Sequence, residues 1–218
     1  MNTQTSETIP AGGLSQLSQV KLSLQHTAML AAARTVCGGG TLWRERKLIE
    51  LVDLWRLVEL SGRLTILGLD VRADLRAELL LRVTVPCLPK PDGPLAVAQA
   101  ARLGIIYREA ALVTPQPGYS FVQILAPQPV WHPNVSPDMT QAVCLGPSIP
   151  PGLPLREIIL MVYGALSMMS VQLDPGNSAG VLNPAAADWF QRNPVLIPLT
   201  REPFVQPLPK PYEKQERC

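Results

Sequence analysis

Residues 131–145 read WHPNVSPDMTQAVCL, a stretch that places one histidine, one asparagine and one cysteine close together in sequence. The chemistry of the last two is complementary. A cysteine thiolate is both a good nucleophile and a good leaving group, so it can carry an acyl group as a thioester. A neutral side-chain amide can stabilise the oxyanion that forms when an amine attacks that thioester. Cys144 and Asn134 are therefore residues of the types that a site for acyl transfer needs.

The residues after Cys144 supply further motifs in a definite order. A loop rich in glycine and proline, residues 146–152, precedes an apolar segment, Leu155–Leu166, that is typical of a helix. An Asp-Pro turn begins at Asp174, and residues 182–193 read LNPAAADWFQRN. Over residues 131–193 this order resembles the ubiquitin-conjugating enzymes, in which an aromatic-His-Pro-Asn tract leads into a short apolar tract that contains the active cysteine.

The resemblance implies an α+β fold: a four-stranded antiparallel sheet flanked by helices, here with an extra N-terminal helix. It also implies that Cys144 accepts the C-terminus of a ubiquitin-like modifier from an activating enzyme and passes it to an amine of a target protein. His132 and Pro133 would shape the turn that aims Asn134. No metal or organic cofactor is needed, because the activating enzyme consumes the ATP. A divergent member of this kind fits a bacterial conjugation pathway, with phage defence as one setting by analogy.

Two features depart from the family pattern. Asn134 and Cys144 are ten positions apart (144 − 134 = 10). This is about two more than in most relatives, so the loop of residues 136–141 carries an insertion. Residues 114–119 read TPQPGY, where the family has Tyr-Pro-x-x-Pro-Pro. The chain therefore resembles a divergent branch. Because Cys144 stands between a loop that contains proline, serine and aspartate and a loop rich in glycine and proline, we expect its thiol to be accessible.

The rest of the chain predicts helices first and strands second. Apolar residues recur at helical spacing over residues 14–36 and 42–61, and Thr41 is the expected N-cap of the second helix. Strands are predicted at residues 63–69, 75–85, 104–113 and 120–126, with a short helix at residues 95–102. We expect an N-terminal helical extension over residues 1–40, a conjugating-type domain over residues 41–202 and a Pro-rich tail over residues 203–218.

Three basic residues, Arg44, Arg46 and Lys47, lie near the start of the second predicted helix. In the family, exposed basic residues on the corresponding helix help to dock the activating enzyme, and the resemblance extends that role to these three. The alternative is an ordinary solvated helix surface.

The composition of the chain argues against nucleic-acid binding, a cysteine metal site, a disulfide framework and membrane association. The net charge of +2 is too small to indicate a nucleic-acid surface. The four cysteines, Cys37, Cys87, Cys144 and Cys218, show no spacing typical of metal ligands or of a disulfide framework. The chain begins with polar residues and its longest apolar run is too short to span a membrane, so we expect no membrane association and a cytoplasmic location.

Two alternative functions stay open at this point. The chain could be a catalytically inert relative that only binds ubiquitin-like proteins. It could also be a cysteine hydrolase in which His132 acts as the general base for Cys144, although no orienting residue for that histidine is evident.

Overall fold

The computed structural model of the chain describes residues 21–87, 95–177 and 179–205. The first part of the predicted N-terminal helix, residues 14–20, lies outside the described residues, and so does most of the predicted tail. The described part contains four α-helices and a four-stranded antiparallel sheet, which confirms the predicted α+β class. The division into extension, domain and tail stays a prediction.

Two consecutive helices open the described chain: α1 at Leu24–Val36 and α2 at Thr41–Leu60. Ser23 caps α1, because its hydroxyl accepts a hydrogen bond from the backbone N–H of His26. The side chain of His26 in turn lies 2.9 Å from the Glu59 carboxylate, which holds α1 against α2. The N-cap of α2 is Gly40, so the prediction of Thr41 as the cap is wrong: Thr41 is already the first helical residue.

Six strands follow α2: β1 at Leu64–Asp70, β2 at Leu75–Leu81, β3 at Val85–Pro86, β4 at Val97–Ala98, β5 at Ala101–Tyr107 and β6 at Val122–Ala126. The four longer strands form one antiparallel sheet in the order β1-β2-β5-β6, while β3 pairs with β4. Buried and more exposed residues alternate strictly along β2 and β5. One face of the sheet therefore packs on the core and the other faces outward.

The predicted helix over residues 95–102 is wrong. Val97 and Ala98 form β4, and β5 begins at Ala101. A short run of alanine and valine is compatible with either a helix or a strand. The strand assignment follows from the pairing of β5 with β2 along the whole length of β5. Two predicted strands are also too long: β2 ends at Leu81, and a 3-10 turn over Glu109–Leu112 follows β5.

Two helices follow the sheet: α3 at Leu155–Leu166, with the bounds predicted from sequence, and α4 at Pro184–Arg192. Apolar side chains of α2, α3 and the inner face of the sheet form one core. Asn183 caps α4, since its Oδ1 accepts a hydrogen bond from the backbone N–H of Ala186, and Pro184 occupies the first helical position. Within the described residues, no helix has the length and apolarity needed to cross a membrane.

Lys47 is an anchor of α2 and lies wholly in the interior. Its side chain is 0% exposed, and its Nζ donates hydrogen bonds to three backbone carbonyls, those of Gly38 at 2.7 Å, Val71 at 2.6 Å and Ala73 at 2.8 Å. These carbonyls match the three N–H donors of an ammonium group. Lys47 therefore joins α2 to the turn between β1 and β2, and the prediction that it docks an activating enzyme is wrong.

Arg46 also links α2 to another part of the chain. Its Nε lies 2.6 Å from the carboxylate of Glu50, and its Nη2 donates to the carbonyl of Gly152 at 2.9 Å. Glu50 is buried and also accepts a hydrogen bond from the backbone N–H of Leu155 at 2.8 Å. Burial raises the pKa of this carboxyl group, and the hydrogen bond from Leu155 and the charge of Arg46 oppose that rise. Of the three predicted docking residues, only Arg44 is exposed.

We predict that Lys47→Met lowers the free energy of unfolding by about 3 kcal/mol or more, because it leaves three carbonyls without their donor. The exposed residue Arg44 provides a matched control on the same helix, and Arg44→Met should change stability by no more than about 0.5 kcal/mol. Urea unfolding followed by circular dichroism measures both. Equal small effects would contradict the anchoring role of Lys47.

Candidate active site

A short hairpin brings Asn134 and Cys144 together. Val135 and Val143 form an antiparallel bridge, flanked by hydrogen bonds from the N–H of Cys144 to the carbonyl of Asn134 at 2.7 Å and from the N–H of Ser136 to the carbonyl of Ala142 at 2.8 Å. Both valines are fully buried in the core. Because side chains alternate along paired strands, Asn134 and Cys144 lie directly opposite each other and project to the other side of the hairpin.

The hairpin extends the main sheet beyond β6. Ala142 bridges Gln123 of β6, and the N–H of Val143 donates to the carbonyl of Val122 at 2.9 Å. The N–H of Ile124 donates in return to the carbonyl of Gln141 at 3.0 Å. The position of the candidate site is thus fixed by the register of the sheet.

The loop of residues 136–141 is folded around Gln141. This residue is buried and has a left-handed backbone conformation (φ 46°). Its side chain accepts a hydrogen bond from the N–H of Val130 at 2.7 Å and donates to the carbonyls of Ser136 at 2.9 Å and Asp138 at 3.1 Å. Hydrogen bonds from Thr140 and Ser136 lower the pKa of Asp138. These hydrogen bonds hold the loop of residues 136–141 in one conformation.

His132 is a structural residue of the turn. Its Nδ1 accepts a hydrogen bond from the backbone N–H of Asn134 at 3.0 Å, so Nε2 carries the proton and donates to the carbonyl of Ala165 at 3.0 Å. Burial lowers the pKa of the ring to about 4, so it is neutral at pH 7. Both ring nitrogens are engaged away from Cys144, which removes the general base that the hydrolase hypothesis required.

Pro133 ties the turn to the start of α4. Its carbonyl accepts hydrogen bonds from the N–H groups of both Leu182 and Asn183, each at 2.9 Å. The turn is thus held on one side by α3, through Ala165, and on the other by α4.

Cys144 is covered. Only 4% of the residue is exposed, and its Sγ lies 3.7 Å from the carbonyl oxygens of both Gly146 and Ala179. The expectation of an accessible thiol is therefore wrong for this conformation. The reason is tertiary, because residues from the segment before α4 fold over the hairpin, and the local sequence around Cys144 does not encode that contact.

Asn134 holds the same covering segment. Its Nδ2 donates to the carbonyl of Gly180 at 2.8 Å, and the residue is 6% exposed. Its Oδ1 is buried without a hydrogen-bond partner among the described residues. A buried amide oxygen without a donor is costly, so it is a place where a ligand with an N–H group would gain binding free energy.

Gly118 contributes a close contact that sequence reasoning missed. A Cβ on this residue would lie 2.1 Å from the carbonyl oxygen of Gly146, the same oxygen that lies next to Cys144 Sγ. Only glycine therefore fits at position 118 without moving the residues after Cys144. In the sequence, a glycine after Pro117 indicates a turn, but it gives no sign of which backbone approaches it.

Comparisons of the chain with protein-family models, with curated proteins and with solved structures found no match. Among the described residues, no three His, Cys, Asp or Glu side chains are grouped so that they could hold a metal ion. The chemistry that the site can perform therefore follows from its own geometry.

We predict that acid destabilises the protein partly through His132. The ring has a pKa of about 4 in the folded chain and an ordinary value near 6.5 when unfolded. Above pH 6.5 the ring is neutral in both states, so its stabilising contribution is complete. Below pH 6.5 only the unfolded chain takes up the proton, and stability should fall by up to about 1.4 kcal/mol per pH unit until pH reaches about 4.

Urea unfolding at pH 7, 6 and 5 measures this slope, with His132→Gln as the comparison because glutamine can still donate to Ala165. The variant should lose less stability than the wild type across this range. Parallel pH profiles for the two proteins would contradict a buried neutral ring.

Proposed function

We propose that this chain is a conjugating enzyme that carries a ubiquitin-like modifier as a thioester on Cys144 and transfers it to an amine of a target protein. The observation that carries the proposal is the direct opposition of Asn134 and Cys144 across the hairpin, with a backbone hydrogen bond between them. An amide and a thiol in this relation suit a thioester whose carbonyl lies between them.

The order of elements supports the same proposal. A helix, α2, precedes four antiparallel strands in meander order, then an irregular stretch with the hairpin, then α3 and α4. This is the order that the resemblance to the ubiquitin-conjugating fold implies. The His-Pro-Asn turn joins the sheet to α3 and α4 in this arrangement, as described for His132 and Pro133.

The proposed reaction has two steps. In the first, the Cys144 thiolate attacks the thioester carbonyl on the activating enzyme, and the cysteine of that enzyme leaves as a thiolate. In the second, an amine of the target attacks the Cys144 thioester, an isopeptide bond forms, and the Cys144 thiolate leaves while the amine loses a proton to solvent. Asn134 Nδ2 has two N–H groups and only one is used by Gly180, so the other can donate to the oxyanion.

The covered thiol makes loading a conformational step. Ala179 and Gly180 lie against Cys144 and Asn134 and have to withdraw before a modifier can reach Sγ. The same observation favours the second candidate function, an inert relative that binds a ubiquitin-like protein without carrying it. The two differ in whether Cys144 ever becomes acylated.

The partners that follow from the proposal are a ubiquitin-like modifier, an adenylating enzyme that activates it, and a target protein. A bacterial conjugation pathway in the cytoplasm is the proposed setting, because a carrier thiol has to stay reduced. The chain itself would need no metal or organic cofactor.

We predict that incubation with the cognate activating enzyme, ATP and modifier yields an adduct on Cys144 that dithiothreitol removes. Cys144→Ser should give an adduct that resists dithiothreitol, because an oxyester replaces the thioester, and Cys144→Ala should give none. Intact-mass spectrometry and peptide mapping measure the adduct. Loading of Cys144→Ala to the wild-type level would contradict the assignment of the carrier, and a wild-type protein that binds the modifier without an adduct would favour the inert relative.

A further inference from the structure

A cavity of about 520 Å³ lies on the outward face of the sheet, between β5, β6 and the hairpin. Gly104 and Ile106 of β5 and Gln123 of β6 line it on one side. The hairpin lines it on the other, through Ser136 and Ala142. Because the hairpin loop is held by the hydrogen bonds of Gln141, it forms a fixed wall. The cavity is an open groove of a size that suits an extended peptide segment.

The groove leads to the candidate nucleophile. Ser136 and Ala142, which line it, form the cross-strand pair next to Asn134 and Cys144 on the same side of the hairpin. Successive pairs on one side of a hairpin are about 7 Å apart. One long side chain of a segment that lies in the groove can therefore reach Cys144.

The groove carries opposite charges in two places. Arg108 lies at the end of β5, where its guanidinium approaches the carbonyl of Ser120 at 3.4 Å. Asp138 lies in the hairpin loop. Within the part of the chain that the structure describes, neither residue forms an ion pair, whereas Arg102 on the same face is paired with Glu78. The two charges are therefore available to a ligand.

The groups around Cys144 Sγ are hydrogen-bond acceptors. The carbonyls of Gly146 and Ala179 lie 3.7 Å from Sγ, and Asn134 contributes a buried Oδ1 that has no partner among the described residues. An amine brings N–H donors and no acceptor in its ammonium form, so it matches this environment.

We propose that the groove binds an extended segment of the target protein, with an acidic side chain against Arg108, a basic side chain against Asp138, and the acceptor lysine directed between them to Cys144. This inference rests on the proposed function and names the substrate class of its second step. After Ala179 has withdrawn for loading, Asn134 Oδ1 and the carbonyl of Gly146 receive the N–H groups of the lysine. Binding that holds the amine beside the thioester also raises the rate of transfer, because it makes the attack effectively intramolecular.

The test uses the full chain and a synthetic modifier substitute. A peptide that ends in Gly-Gly, prepared as its mercaptoethanesulfonate thioester, loads Cys144 by thiol exchange, and intact mass with peptide mapping verifies the site. The loaded protein is then mixed with acetylated, amidated peptides of sequence EAAKAAR, RAAKAAE or QAAKAAQ, or with free lysine. Mass spectrometry follows the rate at which each peptide receives the Gly-Gly peptide.

One of the two charged peptides should react about tenfold faster than its reverse, with the neutral peptide between them, because two exposed charge pairs are matched in one order and mismatched in the other. Arg108→Gln combined with Asp138→Asn should abolish the preference and leave the rate with free lysine unchanged. Asparagine keeps the side-chain oxygen that accepts from Thr140, so the loop should stay folded. Arg72→Gln combined with Asp70→Asn removes the same charges from an exposed pair away from the groove, and should keep the preference.

Equal rates for the three peptides on a loaded wild-type protein would overturn the groove as the target site and leave the carrier function standing. A preference that survives in Arg108→Gln/Asp138→Asn would also overturn it. Failure of Cys144 to load at all would instead overturn the proposed function on which this inference rests.

Discussion

A single backbone hydrogen bond, from the N–H of Cys144 to the carbonyl of Asn134, sets the relation between the two residues that carry the proposed chemistry. It places them directly opposite each other, so their side chains share one face of the hairpin. The hairpin in turn takes its position from β6, and β6 from β5 and β2. The geometry of the candidate site is therefore a consequence of sheet register.

The supports of this hairpin come from distant parts of the sequence. His132 reaches the end of α3, Pro133 reaches the start of α4, and Gly118 admits the backbone that follows Cys144. The loop after Cys144 is fixed further along by Arg46 and Glu50 of α2, which hold Gly152 and Leu155. Helix α2 is itself fixed by Lys47. Arg46 and Lys47, which were predicted to form a docking surface for a partner, thus connect the framework to the site.

The sequence predicted local features well and tertiary contacts poorly. The α+β class, the bounds of α3 and the start of α2 to within a residue follow from hydrophobic periodicity and from glycine and proline positions. The burial of Lys47, the covering of Cys144 by Ala179 and the close approach at Gly118 depend on residues far apart in sequence. No periodicity reports such contacts. The prediction of a helix over residues 95–102 is wrong because a short alanine-rich run is also compatible with a helix. Only the pairing of the strands shows that this segment is extended.

We propose that Asn134 and Cys144 act together on a thioester, and single-turnover kinetics of Asn134→Ala test this most directly. Formation of the Cys144 thioester and its discharge to lysine are measured separately. If Asn134 stabilises the oxyanion of amine attack, the variant should form the thioester at nearly the wild-type rate and discharge it about 10²–10³-fold more slowly. Equal losses in both steps would mean that Asn134 serves only to hold Gly180 in place, and would contradict the claim.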